Sequence, residues 1–144
     1  MPSVVSRLAL PGLELSTPEL RLYPSYGVGW DEVLGPYARG GFWLGSGGSR
    51  LAYGPVLHAT ASVGWRGYEV GVGGGTMTYY IIPTVSVRAV YLHTVRDGPE
   101  VSEDADCFGL RLMTGYPPVH PNVAILYDED ADDLVVTFGI EVGF

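Results

Sequence analysis

Lysine is missing from this 144-residue chain, and cysteine occurs once. Eight arginines stand against 16 acidic residues, for a net charge of −8. Such a chain has no row of cations to neutralise successive phosphates, which excludes nucleic acid as an expected partner. The lone Cys107 forms no intrachain disulfide and no thiolate metal site. No run of about eighteen apolar residues occurs, so no transmembrane helix is expected. No Ala/Glu/Lys/Leu-rich stretch gives a helical theme. Met1 to Arg7 lacks the basic start and apolar core of a signal peptide.

What is present is glycine, at 21 residues, tyrosine, at 10, and a sustained period of two. The length suits one domain or a closed barrel of about eight strands. Residues 1–17 read as an amino-terminal arm, broken at Pro11-Gly12, and 18–144 as a single β-barrel domain. From Pro18 onward, Leu20, Leu22, Tyr26, Val28 and Trp30 share one face. The pattern recurs over Pro36 to Leu44, Leu51 to Trp65, Tyr68 to Gly73, Tyr79 to His93, Cys107 to Met113 and Val123 to Tyr127. Gly73-Gly74-Gly75 reads as the end of its strand. About eight strands joined in sequence by short turns predict an all-β, antiparallel up-and-down barrel. Pro24, Pro55 and Pro83 interrupt the strand patterns. They require bulges, strands that begin later, or a two-sheet fold.

The closing strand, Leu134 to Phe144, carries Leu134, Val136, Phe138, Ile140, Val142 and Phe144 on one side. A terminal Phe preceded by alternate apolar residues resembles the last strand of bacterial outer-membrane barrels. With the strand count and tight turns, the chain is similar to small eight-stranded barrels of the OmpA and OmpX type. The resemblance implies a bacterial outer-membrane location, a lipid bilayer as partner and both chain ends in the periplasm. It would place Gly45 to Ser49, Gly73 to Gly75 and Tyr116 to Pro121 on the periplasmic side. Asp31 to Gly35, Arg66-Gly67, Thr94 to Asp104 and Asp128 to Asp133 would lie outside. Only Thr94 to Asp104 has the length of an outer loop in that family, which speaks against an adhesin or receptor. An exported barrel needs a signal peptide, so this reading takes the chain as a mature form with an added Met.

Alternation alone does not say which face is inside, because a membrane barrel inverts the arrangement of a soluble one. Two features favour the apolar face outside. The opposite face, which carries Arg21, Arg39, Glu69, Arg88, Arg111 and Glu141, is otherwise rich in small residues that suit a narrow lumen. Aromatic residues gather near the strand ends: Trp30, Trp65, Tyr68 and Tyr91 towards one rim, Tyr53, Tyr79 and Phe144 towards the other. These are the expected membrane-interface girdles.

The six lumen charges are the principal candidate site. In a narrow barrel they must pair, giving either a plug or a narrow anion-preferring path. Asp128, Asp130 and Asp132 have the every-other-residue spacing of oxygen ligands for a divalent cation, without the Gly and distal Glu of a calcium loop. Such an ion could bridge the acidic loops to lipid headgroups. His58 shares a face with serines and glutamates, so a Ser-His-Glu hydrolase can be drawn, but no nucleophile-elbow motif is present. The expected role is structural or interaction-based, with a plugged lumen and no resident cofactor. Two alternatives stand beside it. One is a soluble calycin-like barrel or β-sandwich that holds a small apolar ligand among Leu57, Val70, Val85 and Leu110. The other is a membrane-embedded lipid hydrolase using His58.

Overall fold

The structure is a computed structural model that describes residues 20–46, 54–77 and 83–143. The expected arm at 1–17 and the aromatics Tyr53, Tyr79 and Phe144 lie outside the described residues. Eight strands form one closed barrel in sequence order: β1 (Leu20–Asp31), β2 (Gly35–Ser46), β3 (Gly54–Gly64), β4 (Gly67–Met77), β5 (Thr84–Thr94), β6 (Asp106–Gly115), β7 (Val119–Asp128) and β8 (Asp133–Gly143). Every neighbouring pair is antiparallel. The closing seam is short. β1 meets β8 only from Gly27 opposite Gly143 to Asp31 opposite Gly139, whereas β1 pairs with β2 along its whole length.

The strands are strongly staggered. The register runs from Arg21 through Gly45, Val56, Gly75, Ser86, Met113, Asn122 and Gly139, and returns to β1 at Asp31, ten residues further along. In an eight-stranded barrel this shear sets a tilt of about 40° and leaves a lumen just wide enough for side chains to fill.

The stagger also accommodates the prolines. Pro24, Pro36, Pro55 and Pro121 each have a register partner on one side only, respectively Phe42, Trp30, Thr76 and Ile140. The ladders on their other sides begin beyond them, at Gly27, Tyr37, Val56 and Asn122. Pro83 immediately precedes β5. A missing N–H breaks no ladder bond at such a half-paired position.

The expected facing, apolar side out and charged side in, is the one observed. Leu57, Val70, Val85 and Leu110, which the soluble alternative would bury, all point outward and are exposed. Arg39, Glu69, Arg88, Arg111 and Glu141 point inward and are buried.

Two strand limits differ from the sequence reading. β7 begins at Val119, before the expected Val123, so its first residues are strand rather than turn. Gly73, Gly74 and Gly75 lie inside β4 and do not end it. The reason is tertiary. A Cβ on Gly73 would stand 2.0 Å from the Val87 carbonyl oxygen, and one on Gly75 would stand 2.2 Å from that of Val85. β4 and β5 approach so closely that only glycine fits on the inner face there. Gly73→Ala is therefore expected to lower stability by about 1–3 kcal/mol, because the strands must part. Gly40→Ala faces open space, with nothing within 4 Å, and serves as the neutral control. Urea midpoints of the two variants test this; equal midpoints would contradict the close approach.

Candidate functional site in the barrel lumen

The inward face is a mixed core. Nearest the loops that join β1 to β2, β3 to β4, β5 to β6 and β7 to β8, it is apolar. Val33, Leu34, Val90, Leu92, Val101, Ala105, Cys107 and Leu126 belong to one buried cluster. Val33 and Leu34 come from the β1–β2 turn and Val101 and Ala105 from the β5–β6 loop, so two connections fold into the mouth and cover it. Cys107 is fully buried, as a small lumen residue.

Across the middle lies the charge network. Arg111 on β6 reaches three other strands. Its Nη1 donates to Asp31 Oδ2 at 2.6 Å and to Asn122 Oδ1 at 2.5 Å. Its Nε and Nη2 donate to Glu69 Oε2 at 3.0 and 2.6 Å. Arg39 on β2 pairs with Glu141 on β8, Nη2 to Oε1, at 2.6 Å. Tyr37 donates its hydroxyl to the other Glu141 oxygen at 3.1 Å. Arg88 on β5 crosses β4 and donates from Nη1 to Thr60 Oγ1 on β3 at 3.0 Å. The side-chain-free glycines of β4 leave the room for that crossing.

Of the six lumen charges expected from sequence, the structure brings five into the buried interior. Arg21 lies on the lumen-facing side of β1 but at its exposed start, outside the buried set. Asp31, Asn122 and Tyr37 are members that sequence reasoning did not assign. Asp31 also accepts the backbone N–H groups of Val33 and Leu34, at 2.8 and 2.9 Å. It thus shapes the turn and holds an arginine at once. Its signal was present: the Arg21 face, followed in steps of two, reaches Asp31.

His58 is buried and stacks on Trp43, with ring centroids 4.9 Å apart and planes 28° from parallel. Neither of its ring nitrogens has a hydrogen-bond partner. The Ser-His-Glu arrangement is not formed: no serine bonds the imidazole, and Glu69 and Glu141 are held by Arg111 and Arg39.

The aspartates of the β7–β8 turn do not converge. Asp128 turns Oδ1 to the N–H groups of Asp130 and Ala131, at 3.0 and 3.1 Å. Asp132 accepts the Tyr127 hydroxyl at 2.5 Å. Among the described residues no group of three His, Cys, Asp or Glu side chains could hold a metal ion.

Outside, the aromatics of the loop-side rim form a connected band. Tyr68 lies 5.4 Å from His93, and Tyr91 lies 5.1 Å from Phe108, centroid to centroid. The Arg96 guanidinium sits 4.2 Å over Trp65. Asp106 accepts the Tyr91 hydroxyl at 2.6 Å and lies 2.9 Å from His93 Nδ1. Trp30 is exposed on the outward face of β1. His93 and Asp106 are the only His, Asp, Glu, Lys or Arg on the outward face of the described strands, and they are bonded to each other. Comparison with known proteins finds no matching family model, no matching curated protein and no matching solved structure.

Proposed function

We propose that this chain is a bacterial outer-membrane β-barrel with a structural or interaction role, its lumen closed by side chains. The observation that carries the reading is the outer wall. Val28, Phe42, Val63, Val72, Leu110, Ile125 and Phe138, spread round the barrel, are each more than half exposed. Among the described strand residues, charge on that face is limited to the His93–Asp106 pair at one rim. In water a continuous apolar belt would drive association, whereas in a bilayer it is the solvated surface. Strands of eleven residues tilted by about 40° span roughly 25–30 Å, which suits a bilayer core. The aromatic band at the rim suits the headgroup level.

The plugged reading rests on the apolar cover at the loop-side mouth and on the ion pairs beneath it. An open path would leave those groups wet. The acidic residues of the β5–β6 loop and the β7–β8 turn give the outer end its negative charge, and a partner there would be cationic or bridged by cations.

Purification with and without detergent tests the location. The expected protein is monodisperse only in detergent and migrates differently on a denaturing gel before and after boiling. A protein that stays monodisperse in plain buffer overturns the reading.

A further inference from the structure

In its loop-side half β2 turns three low residues outward, Pro36, Ala38 and Gly40. Tall ones flank them. Trp30 and Val28 of β1 stand on one side, opposite Pro36 and Ala38. Val63, opposite Ala38, and Trp65, just beyond β3, stand on the other. Trp65 donates its backbone N–H to the Pro36 carbonyl at 3.0 Å, which fixes that second wall. Between the walls runs a groove of about 740 Å³. That volume lies in the range of small-molecule sites. Both indoles are exposed. The side chains that line it make it a seat for hydrocarbon.

Two guanidinium groups stand at its loop-side end. Arg66, next to Trp65, reaches across and donates from Nη1 to the carbonyl of Glu32 at 2.9 Å, two residues beyond Trp30. Arg96 is exposed and lies 4.2 Å over the Trp65 ring. Among the described residues neither makes an ion pair. The carboxylates nearest in the chain are turned elsewhere. Glu32 accepts the Phe138 N–H at 2.9 Å, and Asp97 accepts the Glu103 N–H at 2.8 Å. Asp104 Oδ1 lies 3.7 Å from His93 Nε2. Acidic residues outnumber arginines by 16 to 8 in this chain, so counter-charges are not scarce. Two cations without one, at the head of an apolar groove, fit an amphiphile with an anionic head.

We propose that the groove seats one acyl chain of an anionic phospholipid, with its phosphate held at the rim by Arg66 and Arg96. The inference rests on the bilayer reading of the outer wall and adds which lipid that wall selects, and where. Guanidinium groups offer paired N–H donors to phosphate oxygens. The indoles of Trp30 and Trp65 border the chain where it enters the headgroup level. A zwitterionic headgroup brings its own ammonium against the same two cations and is disfavoured.

Two of the three tryptophans line the groove, and the third, Trp43, is buried in the lumen. Tryptophan fluorescence of the full chain therefore reads the site. The chain is placed in phosphatidylcholine vesicles that carry a minor fraction of phosphatidylglycerol, with bromine on the acyl chains of one lipid or the other. Bromine quenches an indole that it touches. Phosphatidylglycerol is expected to quench as though enriched about fivefold over its share of the bilayer. Arg96→Gln and Arg66→Gln are each expected to lower that enrichment about twofold or more. Ala38→Phe fills the floor of the groove and is expected to abolish it with both cations in place. All three sites lie on the outside of the barrel, and the shift in gel migration on boiling checks that each variant folds. Quenching in proportion to mole fraction in the wild type overturns the proposal and leaves the bilayer location standing. So does an enrichment that survives in all three variants. Absence of quenching by either brominated lipid removes the location itself, and this proposal with it.

Discussion

Replacing Arg111 by methionine is expected to cost the folded barrel about 3–5 kcal/mol. Deleting one side of a buried ion pair leaves the other charge without compensation. Here the deletion strands two carboxylates, Asp31 and Glu69, which are 0% and 2% exposed. It also removes the partner of Asn122 Oδ1. Methionine keeps most of the volume, so a cavity contributes little. Denaturant unfolding of the refolded protein measures the loss. The triple change Arg111→Met, Glu69→Gln, Asp31→Asn is expected to recover part of it, since neither carboxylate is then left charged and unpaired. The recovery is incomplete because Asp31 also shapes the β1–β2 turn. A single variant within about 0.5 kcal/mol of the wild type would mean that water reaches these groups and that the lumen is not closed.

Leu110→Arg is expected to have the second largest effect, and its sign of success differs with the surroundings. Leu110 is 58% exposed, in the middle of the outward face of β6. In a bilayer an arginine there costs about 2–4 kcal/mol, because it sits near the midplane of the hydrocarbon. In water the same exposed substitution falls within about 0.5 kcal/mol. Ser102→Arg, in the exposed β5–β6 loop, is the neutral comparison in either medium. Equal stability of the two variants in lipid vesicles would remove the membrane assignment while leaving the barrel intact.

The division into two faces was legible because it depends only on a period of two, and the small residues of the charged face marked which one is inside. Arg39, Glu69, Arg88, Arg111 and Glu141 were legible as one inward set for that reason. Pairing was not legible. Arg111 meets Asp31 three strands away, and Arg39 meets Glu141 two strands away. Those distances follow from the stagger, which no single strand encodes. Turn and strand signals overlap at Asp31, and the apolar alternation of β7 becomes clear only at Val123, beyond Asn122. Gly73-Gly74-Gly75 has the look of a strand end because glycine has low strand propensity. The approach of the β5 backbone, invisible locally, overrides that propensity. Arg21 had the right parity but too early a position, since a lumen has mouths as well as walls.

The short seam between β1 and β8 has a mechanical meaning. It holds the fewest paired residues of any strand junction in the described barrel, so backbone hydrogen bonds alone make it the easiest place to unzip. The buried charges compensate for this. Arg39–Glu141, Tyr37–Glu141, Asp31–Arg111 and the Thr137–Asp31 contact at 3.5 Å all reach across that one junction. Glu32 adds two more links to Phe138, one through its N–H and one through its carboxylate. A sideways parting of the wall there would pull each of these charges from its partner at once. The interior thus acts as a set of staples placed over the zip, reinforcing the barrel where its ladder is thinnest.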